Sequence, residues 1–187
     1  MRTRNIKGER SAARQSGEAR PTSGKVLLAM LNILDAAGRI EGARVLDLFS
    51  GTGRVALALL GRGADSVLAV ESDRSRAAAI SAEFKRGRRN AKILCGDVRR
   101  VVPKLAREGE RFAVVFADPP YSLGWGEELI RLVSANWSIL TDDGVFVFEH
   151  AAREALPPFE ADGPLEREDR VYGDTVLTFY WNGGRAI

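Results

Sequence analysis

The sequence predicts an α/β fold, a mostly parallel seven-stranded sheet flanked by helices and closed by an antiparallel hairpin. Three patterns predict it. Short apolar runs alternate with helix-length amphipathic segments from about residue 44 to residue 149, which implies repeated β-α units and a parallel sheet with helices on both faces. A glycine turn, Gly51-Thr52-Gly53, follows the first such run and opens a helix. At the far end, two strand-like runs flank Gly173-Asp174, a hairpin signal.

Taken in order, residues 1–19 form a basic N-terminal arm with few large apolar side chains, and residues 20–187 form a single domain. Pro21-Thr22-Ser23 reads as a helix start, with Thr22 or Ser23 as the cap. Leu27, Met30, Leu31 and Leu34 follow at helical spacing and Gly38 ends the helix. Strands are predicted over residues 44–48, 66–70, 92–94, 112–116 and 144–149. The helices between them run from the glycine turn to about Gly61, from Arg74 to Arg86, to about Arg107, and from about Gly126 to Ala135. Residues 165–172 and 175–181 make the hairpin.

Composition narrows the class. The length of 187 residues suits one domain with a real core. Apolar stretches such as Val26 to Leu31 are far too short to span a bilayer. The start of the chain is polar and basic, unlike a signal peptide. A single cysteine cannot form an internal disulfide or by itself a metal site. A cytoplasmic protein without membrane or metal is expected, most simply a monomer. Residues 1–25 hold seven Lys/Arg against Glu9 and Glu18, a net +5 against a total of +3, so the rest of the chain carries −2. The body then reads as nearly neutral, with a basic arm suited to a polyanion such as RNA.

Asp47-Leu48-Phe49-Ser50-Gly51-Thr52-Gly53 couples a strand to a glycine turn and a helix. Such a turn lets backbone approach a ligand closely and presents free N–H groups at the helix start. Glu71 lies twenty residues after Gly51, at the end of the next strand, where an acid can accept both hydroxyls of a ribose. The loop also fits the nicotinamide pattern Gly-x-Gly-x-x-Ala. Two features, Asp47 and Asp97, decide between the two. The Asp47 carboxylate suits the ammonium group of an amino-acid moiety and would repel a pyrophosphate. Asp97, followed by Val98, stands where an adenine amino group would be read, and it equally suits a helix cap. The cofactor expected is S-adenosylmethionine, held by Asp47, Phe49, Ser50, Gly51, Thr52, Gly53, Glu71, Asp97 and Val98.

Asp118-Pro119-Pro120-Tyr121 follows the fourth strand, so it shares with the glycine turn the crevice at the carboxyl ends of the strands. An exocyclic amine on a base is a poor nucleophile because its lone pair is delocalised into the ring. The Asp118 carboxylate and the Pro119 carbonyl can accept its N–H bonds, direct the lone pair outward and stabilise developing positive charge. Consecutive prolines fix φ and remove backbone donors. Tyr121 offers a face for an unstacked base. The reading is a methyltransferase acting on an amino nitrogen of a nucleic-acid base.

With these residues in view, the chain resembles the RsmD-type family of 16S ribosomal RNA guanine-N2 methyltransferases. Beyond the generic motifs, Arg20-Pro21-Thr22-Ser23, Leu31-Asn32-Ile33-Leu34 and Tyr172-Gly173-Asp174-Thr175 carry the resemblance. It implies a class I S-adenosylmethionine-dependent, Rossmann-like methyltransferase fold. It also implies methylation of a guanine N2 in small-subunit ribosomal RNA, as naked RNA or as an assembly particle. Arg20, Thr22, Tyr121 and Trp125 are the expected substrate contacts.

Other readings are a DNA methyltransferase acting on adenine N6 or cytosine N4, or a non-catalytic assembly factor that binds S-adenosylmethionine and RNA. A protein-glutamine methyltransferase would carry Asn-Pro-Pro-Tyr. Cys95 is expected to pack as a small apolar side chain, His150 to lie at the surface, and Trp137 and Trp181 to pack in the core or hairpin.

Overall fold

The computed structural model describes residues 24–87, 89–120, 124–160 and 165–184. Its first element, α1 (Gly24–Ala36), buries Val26, Leu27, Met30, Leu31 and Leu34 along one side, the spacing of an amphipathic helix. It ends in a Schellman motif: Arg39 N–H donates to the Leu34 carbonyl and Gly38 N–H to that of Asp35, with Gly38 at φ +65°. The proposed cap at Thr22 or Ser23, the arm over residues 1–19, and Arg20 lie outside the described residues.

The β-α alternation follows the sequence closely. The elements are β1 (Arg44–Asp47), α2 (Arg54–Gly61), β2 (Ser66–Glu71), α3 (Arg74–Arg86), β3 (Ala91–Cys95), α4 (Val98–Arg107), β4 (Phe112–Ala117) and α5 (Trp125–Ser134). Then come β5 (Leu140–Ala151), β6 (Leu165–Tyr172) and β7 (Thr175–Asn182). β5 begins four residues before the predicted start, because its pairing with β4 shifts register between Phe112 and Val114. The extra residues are accommodated in that irregular stretch.

The seven strands lie in the order β3-β2-β1-β4-β5-β7-β6, with β7 antiparallel to both of its neighbours. Strand order runs outward from β1 through β2 to β3, then returns to β4 on the other side of β1. The carboxyl ends of β1 and β4 therefore diverge around a crevice, the position where such sheets bind ligands.

Two apolar layers hold the sheet. One joins α1, α2 and α3 to residues such as Val45, Phe116 and Phe179. The other joins α4 and α5 to Leu46, Val115, Phe146, Phe148 and Tyr180. In the second, the Phe146 ring stacks on Phe148 at 6.2 Å and on Tyr180 at 5.8 Å.

Two expectations fail, each for a topological reason. Cys95 is exposed rather than packed, because β3 is the edge strand and its end has no neighbour on one side. His150 is buried, not on the surface, because the hairpin covers the end of β5. Its Nδ1 lies 3.1 Å from the Ala151 carbonyl oxygen and its Nε2 2.9 Å from the Thr178 hydroxyl. Burial holds the imidazole below its ordinary pKa, which favours the neutral ring. Trp181 is fully buried, and Trp137 packs edge-on to Phe159 at 4.9 Å, both as expected.

Phe146→Ala removes the centre of the aromatic stack and leaves a cavity between α5 and the sheet. Urea unfolding is expected to show a loss of about 3–5 kcal/mol.

Candidate active site

The first strand delivers Asp47 to the crevice and buries it completely. Leu48 N–H then donates to the Phe116 carbonyl on β4, and Ser50 N–H to the Val70 carbonyl on β2. These two bonds stitch the turn to the strands on either side. Gly51 and Gly53 sit at φ +53° and +75°, the left-handed region where a side chain is strained. At Gly53 a Cβ would also meet Ile80 Cγ2 at 3.2 Å. The glycine spacing is therefore set jointly by backbone conformation and by the packing of α3 under the turn. Thr52 is exposed at its tip.

Glu71 ends β2, buried, and organises the floor of the site. One carboxylate oxygen accepts Gly51 N–H at 3.0 Å. The other accepts Asp73 N–H at 2.8 Å and the Arg76 guanidinium at 3.0 Å. The Ser72 hydroxyl also lies 3.5 Å from that second oxygen. With about two acceptor positions on each carboxylate oxygen, the capacity left for a ribose hydroxyl is on the Gly51-bound oxygen. Asp97 caps α4 by accepting Arg99 N–H at 2.9 Å, and its second oxygen pairs with the Arg99 guanidinium at 3.3 Å. Both features predicted for Asp97, cap and cleft position, thus coexist.

A cavity of about 240 Å³ opens beside these groups. Phe49, Glu71, Asp97, Val98 and Trp125, all expected site residues, line it. Trp125 is not in a free loop: it is the first residue of α5 and buried. Its indole meets Phe49 edge-on at 5.0 Å and lies 4.2 Å beneath the Arg99 guanidinium. It forms a wall of the cavity. Pro119 is buried and Asp118 and Pro120 half-buried at the end of β4. Tyr121 and Thr22, like Arg20, lie outside the described residues.

Three site residues escaped sequence reasoning. Arg99 lines the cleft and pairs bidentately with Glu128 on α5, a contact between residues 29 apart that no local pattern announces. Arg76 holds Glu71, and its five-residue offset was the available signal. Glu149 is buried at the end of β5, where the pairing of Ala117 with Phe148 sets it beside Asp118. Its signal was an acid closing an apolar strand, as Asp47, Glu71 and Asp118 close theirs.

The electrostatics single out Asp47. Burial pushes its carboxyl from the ordinary 3.8 up to about 7, and the charges of Asp118 and Glu71 push the same way. Ser50 and the Phe49 amide oppose this in part, yet neither carboxylate oxygen makes a hydrogen bond of ordinary geometry among the described residues. A buried carboxylate left so is costly unless a cation meets it. The ammonium of an amino-acid moiety fits that demand. Glu71 fits ribose hydroxyls and the Phe49–Val98–Trp125 surface fits an adenine ring, so the residues present suit S-adenosylmethionine. A pyrophosphate at Asp47 would meet like charge.

Two measurements check this assignment. The raised carboxyl holds its proton to higher pH in the folded than in the unfolded chain. Stability from this group is therefore complete below about pH 4 and is lost as pH rises toward 7. Asp47→Asn lacks that loss, so the ligand-free variant is expected to melt higher than the parent at alkaline pH. In calorimetry, affinity for S-adenosylmethionine is expected to rise between about pH 6 and 7.5 as the carboxyl ionises, and Asp47→Asn to flatten the profile and weaken binding about tenfold or more.

Known proteins resemble the chain over most of its length. The chain is similar to the putative rRNA methyltransferase YlbH of Bacillus subtilis, 28% identical over 95% of this chain and 96% of that one. It is also similar to the ribosomal RNA small subunit methyltransferase D of Escherichia coli, 31% identical over 93% of this chain and 85% of that one. Among solved structures, the putative methyltransferase yhhF of Escherichia coli superposes with a TM-score of 0.73 at 28% identity, covering 87% of each chain. A hypothetical protein of Thermus thermophilus does so with 0.74 at 27% identity, over 91% of this chain and 93% of that one. The family described as Conserved hypothetical protein 95 matches residues 4–181, and the chain belongs to this RsmD-type family.

Proposed function

We propose that the chain transfers the methyl group of S-adenosylmethionine to the exocyclic N2 amine of a guanine in small-subunit ribosomal RNA. The observation that carries the reading is the register of β1 on β4. Asp47 pairs with Phe116, so Asp118, two residues on and just past the end of β4, stands near the buried carboxylate and raises its pKa through its charge. Donor site and acceptor motif are thus neighbours across one strand boundary.

Bound there, S-adenosylmethionine supplies a methyl group activated by its sulfonium. The chain's own residues supply position. Asp47 takes the ammonium, Glu71 the ribose, and Phe49, Val98 and Trp125 the adenine, with Asp97 and the turn residues Ser50, Gly51, Thr52 and Gly53 completing the cleft. Asp118 and the Pro119 carbonyl accept the N–H bonds of the incoming amine, and Tyr121 gives its base a face to stack on. That geometry turns the amine lone pair toward the methyl group and stabilises the positive charge that grows on nitrogen. The extra proton leaves after transfer, so a strong base is not required, and buried His150 is not asked to act as one. The RNA acceptor is supported by relatives that carry ribosomal RNA methylation in their names. Asp-Pro-Pro-Tyr specifies only an amine acceptor; guanine N2 is supported by the family resemblance that Arg20-Pro21-Thr22-Ser23 and Tyr172-Gly173-Asp174-Thr175 carry. The chain is read as a monomeric cytoplasmic protein. No helix among the described residues is long and apolar enough to cross a membrane.

Asp118→Ala is expected to lower methyl transfer to small-subunit ribosomal RNA or its particles by at least 10²-fold while calorimetric binding of S-adenosylmethionine survives. Loss of binding and turnover together would make Asp118 a structural residue and count against the mechanism.

A further inference from the structure

The near-neutral body inferred from the total charge conceals a strong separation. Residues 72–107 hold eleven Lys/Arg against Asp73, Glu83 and Asp97, a net +8. With +5 on residues 1–25, the remainder of the chain carries −10. The basic segment is one structural unit, α3-β3-α4, and β3 is the edge of the sheet. The two helices flank that edge from opposite faces, since α3 packs in one apolar layer and α4 in the other. Ten of the eleven cations lie among the described residues, and all ten are exposed.

Their arrangement is ordered. On α4, Val98, Val102 and Leu105 face the sheet, so Arg100, Lys104 and Arg107, at i, i+4 and i+7, form a stripe on the opposite, outer side. The stripe starts beside the cofactor cleft, which Asp97 and Arg99 line, and runs ~10 Å toward the far end of the sheet. Lys92 on β3 is exposed on the edge beside it, and Lys85 and Arg89 continue the charge around α3. Of Lys85, Arg89, Lys92, Arg100, Lys104 and Arg107, only Lys104 has an ion pair among the described residues, with Glu108 at 3.7 Å.

Ion pairs hold Arg76 to Glu71 and Arg99 to Glu128, but fold stability does not account for the rest of this placement. Arg74 and Arg100 also occupy the first turns of α3 and α4, which hold no acid beyond the capping Asp73 and Asp97. Cations there oppose the helix dipole and the unpaired N–H groups, each at a cost of about 0.3–1 kcal/mol. One lysine suffices to guard an edge strand against pairing with another chain. A surface that accumulates positive charge where the fold disfavours it, contiguous with the cleft, matches a polyanion that crosses both.

We infer that the α3-β3-α4 edge, centred on Lys92, Arg100 and Lys104, seats the phosphate backbone of the RNA whose base enters the crevice. This inference rests on the proposed RNA methyltransferase activity and adds to it a docking surface on the body of the domain, separate from the N-terminal arm. Arg100 and Lys104 hold the strand leading away from the target nucleotide, and Lys92 extends that track over the sheet edge.

The test compares the full-length protein with two triple variants of equal charge change. One is Lys92→Gln/Arg100→Gln/Lys104→Gln; the other, on surfaces outside the α3-β3-α4 unit, is Arg131→Gln/Arg153→Gln/Arg170→Gln. Each is titrated onto a small-subunit ribosomal RNA transcript at several salt concentrations, with S-adenosylmethionine calorimetry and thermal melts as checks on folding. For the edge variant, the slope of log K against log salt is expected to fall by roughly 2 units, about 0.7 per lost phosphate contact. Its donor affinity should stay within twofold of the parent, and the control variant should keep the parent's slope. Equal losses in both variants would reduce the effect to net charge and overturn the proposal, as would an unchanged slope in the edge variant. Methyl transfer by the parent is scored separately. An edge-dependent slope without turnover sustains the surface and sinks the methyltransferase reading; turnover with an edge-independent slope does the reverse.

Discussion

The site is arranged around a carboxylate that the fold removes from water. Asp47 closes the central strand between β2 and β4, where both neighbours and the turn above exclude solvent, and its carboxyl is pushed up to about 7. The neighbouring parts either tolerate this charge or exploit it. The turn is stitched to both adjacent strands, Glu71 is tied to Gly51, and α3 presses Ile80 beneath Gly53. A site built this firmly around a buried acid selects a cation and rejects an anion. The same property separates an amino-acid-bearing nucleoside from a dinucleotide on a sheet that accommodates either.

Strand order explains why the second half of the chemistry falls in the right place. Because β4 pairs with β1 on the side opposite β2, the residues ending β1, β2 and β4 converge on one crevice although 70 residues separate Asp47 from Asp118. The hairpin then pairs β7 with the whole carboxyl half of β5. This gives β5 a neighbour on both sides and buries Glu149 and His150, which an open edge would have left wet.

Much of this was legible in the sequence. Every α-helix and strand was anticipated within a few residues, because apolar period, glycine turns and capping acids are local signals; the 3-10 turn at Trp137–Ile139 was not. Glu71 and Asp97 were recoverable because a βαβ unit converts sequence offset into position. What escaped was set by distant contacts. Cys95 was misplaced because edge position is a property of topology, and His150 because its cover comes from β7. Arg99 was missed because Glu128 and Trp125, which fix it, belong to another helix. The charge of the body was misjudged by averaging: +8 on one edge and −10 over the remainder cancel in a sum but not in space.

The family assignment supports methylation of ribosomal RNA, and the proposed acceptor, a guanine N2 amine, is the central claim to measure. The direct measurement is mass analysis of nucleosides from small-subunit ribosomal RNA after incubation of particles from gene-deleted cells with the protein and isotopically labelled S-adenosylmethionine. The account predicts label in N2-methylguanosine at one position, absent from particles of the parent strain because that site is already filled. Label in N6-methyladenosine or N4-methylcytidine, or in ribosomal protein instead of RNA, would contradict it.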